Sequence, residues 1–151
     1  MAHYQATVGS QRSALDTFHY LATFSNAAQW DPGVLAGEQL DPGPVRVGTR
    51  FRLIVPFLGR RLPLIYQVTE LMAGRTVVLD ATSGLLRATD RISVTGDSDS
   101  ATVSYAADVR LRGPLRLLDL LLSRGFRAVG DRATAGLARA LSAAPAPEQG
   151  S

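Results

Sequence analysis

The sequence predicts an α+β protein: a curved antiparallel sheet of seven strands, two short helices after the first strand, and one long helix at the C-terminal end. Three observations carry this. Apolar and polar residues alternate in runs through 34–112, split by Gly-, Pro- and Asp-rich separators. From Leu115 onward the apolar residues instead recur at helical spacing. Between the first strand-like run and the sheet lie two short stretches with helix starts and a hard stop.

In chain order, alternation marks Tyr4 to Val8 as the first strand. Ser10 or Ser13 caps a helix running to about Thr23, with Leu15, Phe18 and Ala22 on one face. A second short helix, Asn26 to Gln29, ends at Trp30 and Asp31-Pro32-Gly33, and the same tripeptide returns at Asp41-Pro42-Gly43. Proline presets φ, glycine tolerates positive φ, and aspartate bonds the backbone two residues on, so each tripeptide is a turn. The two turns isolate a short strand near 34–40. Further strands fall near 47–57, 62–72, 75–82, 86–95 and 101–112. Gly113-Pro114 opens a helix to about Leu141, and the small, polar stretch 143–151 reads as a disordered tail to a single domain of residues 1–142.

Strand parity separates a dry face from a wet one. Thr49, Phe51, Leu53, Val55 and Phe57 share one side with Leu62, Leu64, Tyr66 and Val68, provided the loop at Leu58-Gly59 is even. Leu86, Ala88, Asp90, Ile92 and Val94 share the dry side with Val103, Tyr105, Ala107, Val109 and Leu111. On the last helix, Leu118, Leu122, Phe126, Val129, Ala133, Leu137 and Ala140 form one stripe counted from Leu115. One helix cannot cover a strongly curved sheet, so space is expected between them.

Composition excludes several chemistries. With 151 residues and 46% apolar content, one domain with a sizeable core is expected. No apolar run is long enough to span a bilayer and the N-terminal residues do not form a leader, so a cytoplasmic protein is expected. Cysteine is absent and the histidines are only His3 and His19, which leaves no expected metal site. All 16 basic residues are arginine, and they are scattered without interleaved aromatics, against a nucleic-acid partner. There is no nucleophilic serine motif with a histidine base, no lysine-bearing phosphate loop, and no complete calcium loop at Asp97-Ser98-Asp99.

The run Phe18 to Asn26, followed by Trp30-Asp31-Pro32-Gly33-Val34, Val47 to Phe51, Tyr66 to Glu70 and Thr102 to Tyr105, resembles the helix-grip fold of the START-related (SRPBCC) superfamily. The likeness is to its polyketide cyclase/dehydrase and lipid-transport branch, in the same order over residues 2–142. It implies a sheet wrapped around the long helix, an apolar cavity between them, and no cofactor. Trp30 would then wall or border that cavity.

The expected ligand-binding set is Phe24, Trp30, Phe51, Leu53, Tyr66, Asp90, Ile92, Tyr105, Leu118, Leu122 and Phe126. Asp90 stands out because lone carboxylates are seldom buried without a partner. Parity puts Tyr105 opposite or diagonal to it. Asp90, Tyr105 and Tyr66 are accordingly the candidates for orienting a ligand or moving a proton, with a structural carboxylate as the alternative. The expected function is binding or carriage of an apolar lipid, polyketide or isoprenoid-like molecule. The alternatives are a polyketide cyclase or dehydratase, and an interaction module with a filled core. Leu117, Leu120 and Leu121 point away from the stripe, and Leu58 tips the adjacent hairpin. These four are expected to form a docking surface for an anionic membrane, a partner protein or a second copy of the chain.

Overall fold

The computed structural model describes residues 2–142, apart from the side chains of 119–124. Seven strands form one antiparallel sheet: β1 Ala2–Ser10, β2 Ala36–Gln39, β3 Arg50–Phe57, β4 Arg60–Met72, β5 Thr76–Thr82, β6 Leu86–Gly96 and β7 Ala101–Leu111. Their spatial order is β1-β7-β6-β5-β4-β3-β2, a meander from β2 to β7 with the first strand added beside the last. Helix α1 spans Ala14–Ala22 and α2 spans Ala27–Trp30, joined by a 3-10 turn at Phe24–Asn26. The final helix, α3, spans Asp119–Ser142. No helix among the described residues is long and apolar enough to cross a membrane.

The dry and wet faces fall where alternation placed them. Phe51, Leu53, Leu64, Tyr66 and Val68 are buried, as are Leu86, Ala88, Asp90, Ile92 and Val94 and, on β7, Val103, Tyr105, Ala107 and Leu111. The β3–β4 register Phe57↔Arg60 leaves Leu58-Gly59 as a two-residue loop. Its φ values of 51° and 76° are those of a type I′ turn, whose twist matches the flanking strands. Thr69 is the extra residue of a bulge between β4 and β5.

The two identical tripeptides do different work. At the first, Asp31 turns its carboxylate onto the Gly33 amide, 2.8 Å away. At the second, Gly43 takes φ 98° while Asp41 reaches across to the backbone and guanidinium of Arg50. Ser13, and not Ser10, caps α1, accepting from the Asp16 amide. Ser10 is buried and bonds Thr17 at 2.8 Å. Leu15 turns out to be 56% exposed, and Thr17 and Leu21 take the inward positions instead. With the helix starting at Ala14, Leu15 falls on the edge of a stripe set by Phe18, Leu21 and Ala22.

The C-terminal helix begins later than Gly113-Pro114 suggests. Gly113–Leu118 is a 3-10 segment with no buried residue, and α3 starts only at Asp119. A 3-10 turn closes in three residues and rises about 2 Å per residue, so a wheel counted from Leu115 does not carry through it. Among the described side chains of α3, the buried apolar ones are Ala133, Leu137 and Leu141. Two glycines set the contact there. A Cβ at Gly136 would lie 1.9 Å from the Trp30 carbonyl oxygen, and one at Gly130 would lie 2.4 Å from the Tyr4 ring. Beyond them the chain after β1 closes the helix end: the Gln11 amide donates to the Leu141 carbonyl at 3.0 Å, and the Arg12 guanidinium donates to the Ala140 carbonyl.

Candidate functional site

Between sheet and helix lies a cavity of about 440 Å3. Its floor is made of small side chains on neighbouring strands. Ala88 on β6 lies opposite Ala81 on β5 and Val109 on β7, and the next inward pair on β6 and β7 is Asp90 and Ala107. Its roof is equally small, at Gly130 and Ala133 of α3. Alanines at 88, 107 and 133 reach only a short way into the sheet–helix layer and leave space within it.

Aromatic rings wall the cavity. The Trp30 ring meets the Tyr105 ring edge-on at 5.8 Å, and the Phe24 ring meets Tyr66 at 4.9 Å. Edge-to-face pairs of this kind contribute about 0.5–1.5 kcal/mol each beyond the area they bury. Trp30 ends α2, so the first Asp-Pro-Gly turn both stops that helix and fixes the ring against the cavity. Leu53, Leu64, Leu86 and Phe126 complete much of the apolar lining.

Asp90 supplies the buried charge. It is 5% exposed, and the Tyr105 hydroxyl donates to its Oδ2 at 2.6 Å. The register pairs Ile92 with Tyr105 and Asp90 with Ala107, so the two residues are diagonal neighbours on one face. Burial raises the Asp90 pKa to about 7, the Tyr105 hydrogen bond working against that rise and the charges of Asp31, Asp108 and Asp80 adding to it. Burial likewise holds the Tyr105 and Tyr66 hydroxyls well above their usual range, with Asp90 the next cause for both. At neutral pH the site therefore offers a carboxyl that can give or take a proton, beside two phenols that stay protonated.

Of the residues expected from sequence, Phe24, Trp30, Leu53, Tyr66, Asp90, Tyr105 and Phe126 line this one cavity. Phe51 and Ile92 do not: both are fully buried, and Phe51 lies edge-on to Phe24. Leu118 is 36% exposed on the 3-10 segment and does not line the cavity. Leu122 lies outside the described side chains, as do Leu120 and Leu121 of the expected docking surface. Leu58 and Leu117 are exposed. Sequence reasoning missed Asp31, Tyr4 and Arg132, which line the cavity too. Asp31 is mostly buried, which raises its pKa against the lowering effect of the Gly33 amide. The signal for Gly130 and Gly136 was present, since glycine inside a helix costs about 1 kcal/mol and needs a packing reason. Among the described residues no cluster of metal-ligating side chains occurs.

One antiparallel sheet packed with a C-terminal helix over a cavity is the helix-grip fold that START-like structures share. The chain belongs to the polyketide cyclase/dehydrase and lipid transport family, whose model matches residues 1–142. Among solved structures it is similar to a START superfamily protein from Mycobacterium smegmatis (17% identity, 93% of this chain and 97% of that one, TM-score 0.70). It is also similar to the Zhui aromatase/cyclase from Streptomyces sp. R1128 (16%, 96% and 98%, TM-score 0.67). A third likeness is to the ginseng major latex-like protein 151 from Panax ginseng (16%, 89% and 95%, TM-score 0.55). At these identities the likeness is one of fold. No curated protein matches the sequence.

Proposed function

We propose that the protein binds and carries an apolar small molecule of lipid, polyketide or isoprenoid type in the cavity beneath α3. The observation that carries this reading is the cavity itself, about 440 Å3, with aromatic and aliphatic walls and few polar groups. The Asp90–Tyr105 pair would anchor a polar end of the ligand: the Tyr105 hydrogen is spent on Asp90, leaving the second carboxylate oxygen to meet a hydroxyl or, when protonated, a carbonyl. The family description, which joins lipid transport to polyketide cyclisation, supports the same class of ligand.

A second reading has its own observation. A carboxyl held near pH 7 inside an apolar cavity is suited to general acid–base help, so a cofactor-independent cyclase or dehydratase could use Asp90, with Tyr66 and Tyr105, to assist enolisation or loss of water. The likeness to an aromatase/cyclase favours testing it.

Native mass spectrometry of gently purified protein separates these readings from a ligand-free module. The expected result is an adduct that organic solvent extracts, and that is absent from the folded Ala88→Leu and Ala107→Leu variants, in which leucine fills the floor. Wild-type protein with no adduct, and with no change in Trp30 fluorescence across a panel of apolar lipids and polyphenols, would overturn both. Turnover of a poly-β-ketone by wild type but not by Asp90→Asn would favour the enzyme.

A further inference from the structure

The meander brings particular connections together at one end of the sheet. The β3–β4 hairpin tip (57–60), the β5–β6 turn (83–85), the 3-10 segment after β7 (113–118) and the turn before β2 (31–35) all lie at the end where β3, β5 and β7 finish. Cavity-lining Phe57, Leu86 and Val109 sit on the strand ends that carry them.

This end is unlike the rest of the surface in charge. Arg60, Arg61, Arg87, Arg110, Arg112 and Arg116 are all exposed here. The stretches 57–61, 82–87 and 110–118 contain no Asp or Glu. The acid of the fourth turn, Asp31, is largely withdrawn and tied to the Gly33 amide, and the acids flanking the other stretches on β5 and β7 are engaged, Asp80 by the Thr89 hydroxyl and Asp108 by His3. At the opposite end, the connections at 11–13, 40–49, 73–75 and 97–100 mix Arg12, Arg46 and Arg75 with Asp41, Asp97 and Asp99. The basic end is also apolar at its tips: Leu117 is 87% exposed and Leu58 66%, with Leu35 and Leu85 also exposed. Leucines standing out from a ring of arginines match the layering of a lipid surface, acyl boundary beneath anionic head groups.

We propose that this end of the molecule docks on an anionic lipid surface, the leucines entering the interface and the arginines meeting the head groups. A second protein surface would have to supply an acidic ring around an apolar centre, and a second copy of this chain would bring like charge against like charge. Charge complementarity thus favours lipid over self-association. Because the same strand ends wall the cavity, docking would set the cavity beside the membrane.

Sedimentation with vesicles tests this. Wild type should bind vesicles of phosphatidylcholine and phosphatidylglycerol far better than phosphatidylcholine alone, and lose binding as salt rises. Arg60→Gln, Arg61→Gln and Arg116→Gln together should weaken binding roughly a hundredfold, at about fivefold per arginine. Arg46→Gln with Arg75→Gln, at the other end, should leave it unchanged. Leu58→Asn with Leu117→Ser should also weaken it, and asparagine suits the positive φ at position 58, so the hairpin should persist. Equal binding to both vesicle types, or equal loss in the control variant, would overturn the proposal. So would a wild-type dimer, by light scattering, that the leucine variant converts to a monomer while vesicles bind neither.

Discussion

Replacing Asp90 by asparagine should make the protein more stable at alkaline pH and leave it nearly unchanged in acid. The folded carboxyl titrates at about 7 against the usual 3.8 for an aspartate, with burial the main cause. A raised carboxyl pKa means that the native state binds more protons than the unfolded chain between those two values, so stability falls as pH rises through that window. Below it both states are protonated and no penalty remains. Above it the native state holds a buried charge, and the interval corresponds to about 4 kcal/mol. Asparagine keeps the shape and an oxygen to accept from Tyr105, but never ionises. The assay is urea denaturation of wild type and Asp90→Asn at steps from about pH 4 to about pH 8, read as the difference between the two. Taking the difference removes most of the opposing trend from acids such as Asp41 and Asp97, whose pKa values are lowered by hydrogen bonds. A difference that stays flat across this range would refute the reasoning. So would a variant that loses stability at high pH, since it would mean that the ionised carboxylate is held by donors stronger than the Tyr105 hydroxyl.

Tyr105→Phe removes the hydrogen bond that favours the Asp90 carboxylate, so the midpoint of the same pH-dependent loss should move upward; a downward move in the denaturation series would contradict it. Gly136→Ala should destabilise by about 1–3 kcal/mol or more, because its Cβ has no room beside the Trp30 carbonyl. Gly125→Ala meets nothing within 4 Å and should stabilise by up to about 1 kcal/mol, both values being read from urea midpoints.

Strand parity was readable because each strand buries one face, so a one-residue slip would have exposed every apolar side chain of the run. That constraint is strong enough to bring Asp90 and Tyr105 onto one face from the sequence alone, and the register makes them diagonal neighbours. The helix wheel failed at Leu118 for the complementary reason: parity has a period of two in any strand, but a wheel depends on which helix is formed, and 113–118 is 3-10. Phe51 and Ile92 share the inward face with the cavity residues, yet where along that face the core closes depends on α1 and on Phe24, which parity does not address. The cavity floor was hidden for a different reason. Alanines 88 and 107 are ordinary small residues in a line of sequence and become a gap only when the register makes them diagonal neighbours on the cavity face.

The packing of α3 joins these observations. Its second half is fastened by Leu137 and Leu141, by glycines that let it close on Trp30 and Tyr4, and by hydrogen bonds from the chain after β1. Toward its first half Phe126 is only partly buried, and Val129 faces the cavity while remaining 42% exposed. A helix packed equally along its length would fill the space above Ala88 and Ala107 and gain apolar burial by doing so. Around Phe126 and Val129 that gain is not taken, and the cavity stays open there. The proposed ligand would supply the reason, since its own surface would complete the burial that the protein leaves open. The arginine-rich end lies toward the start of α3 and away from its fastened end, so on the proposed reading the part of the molecule that would take an apolar guest is also the part best charged to meet a lipid surface.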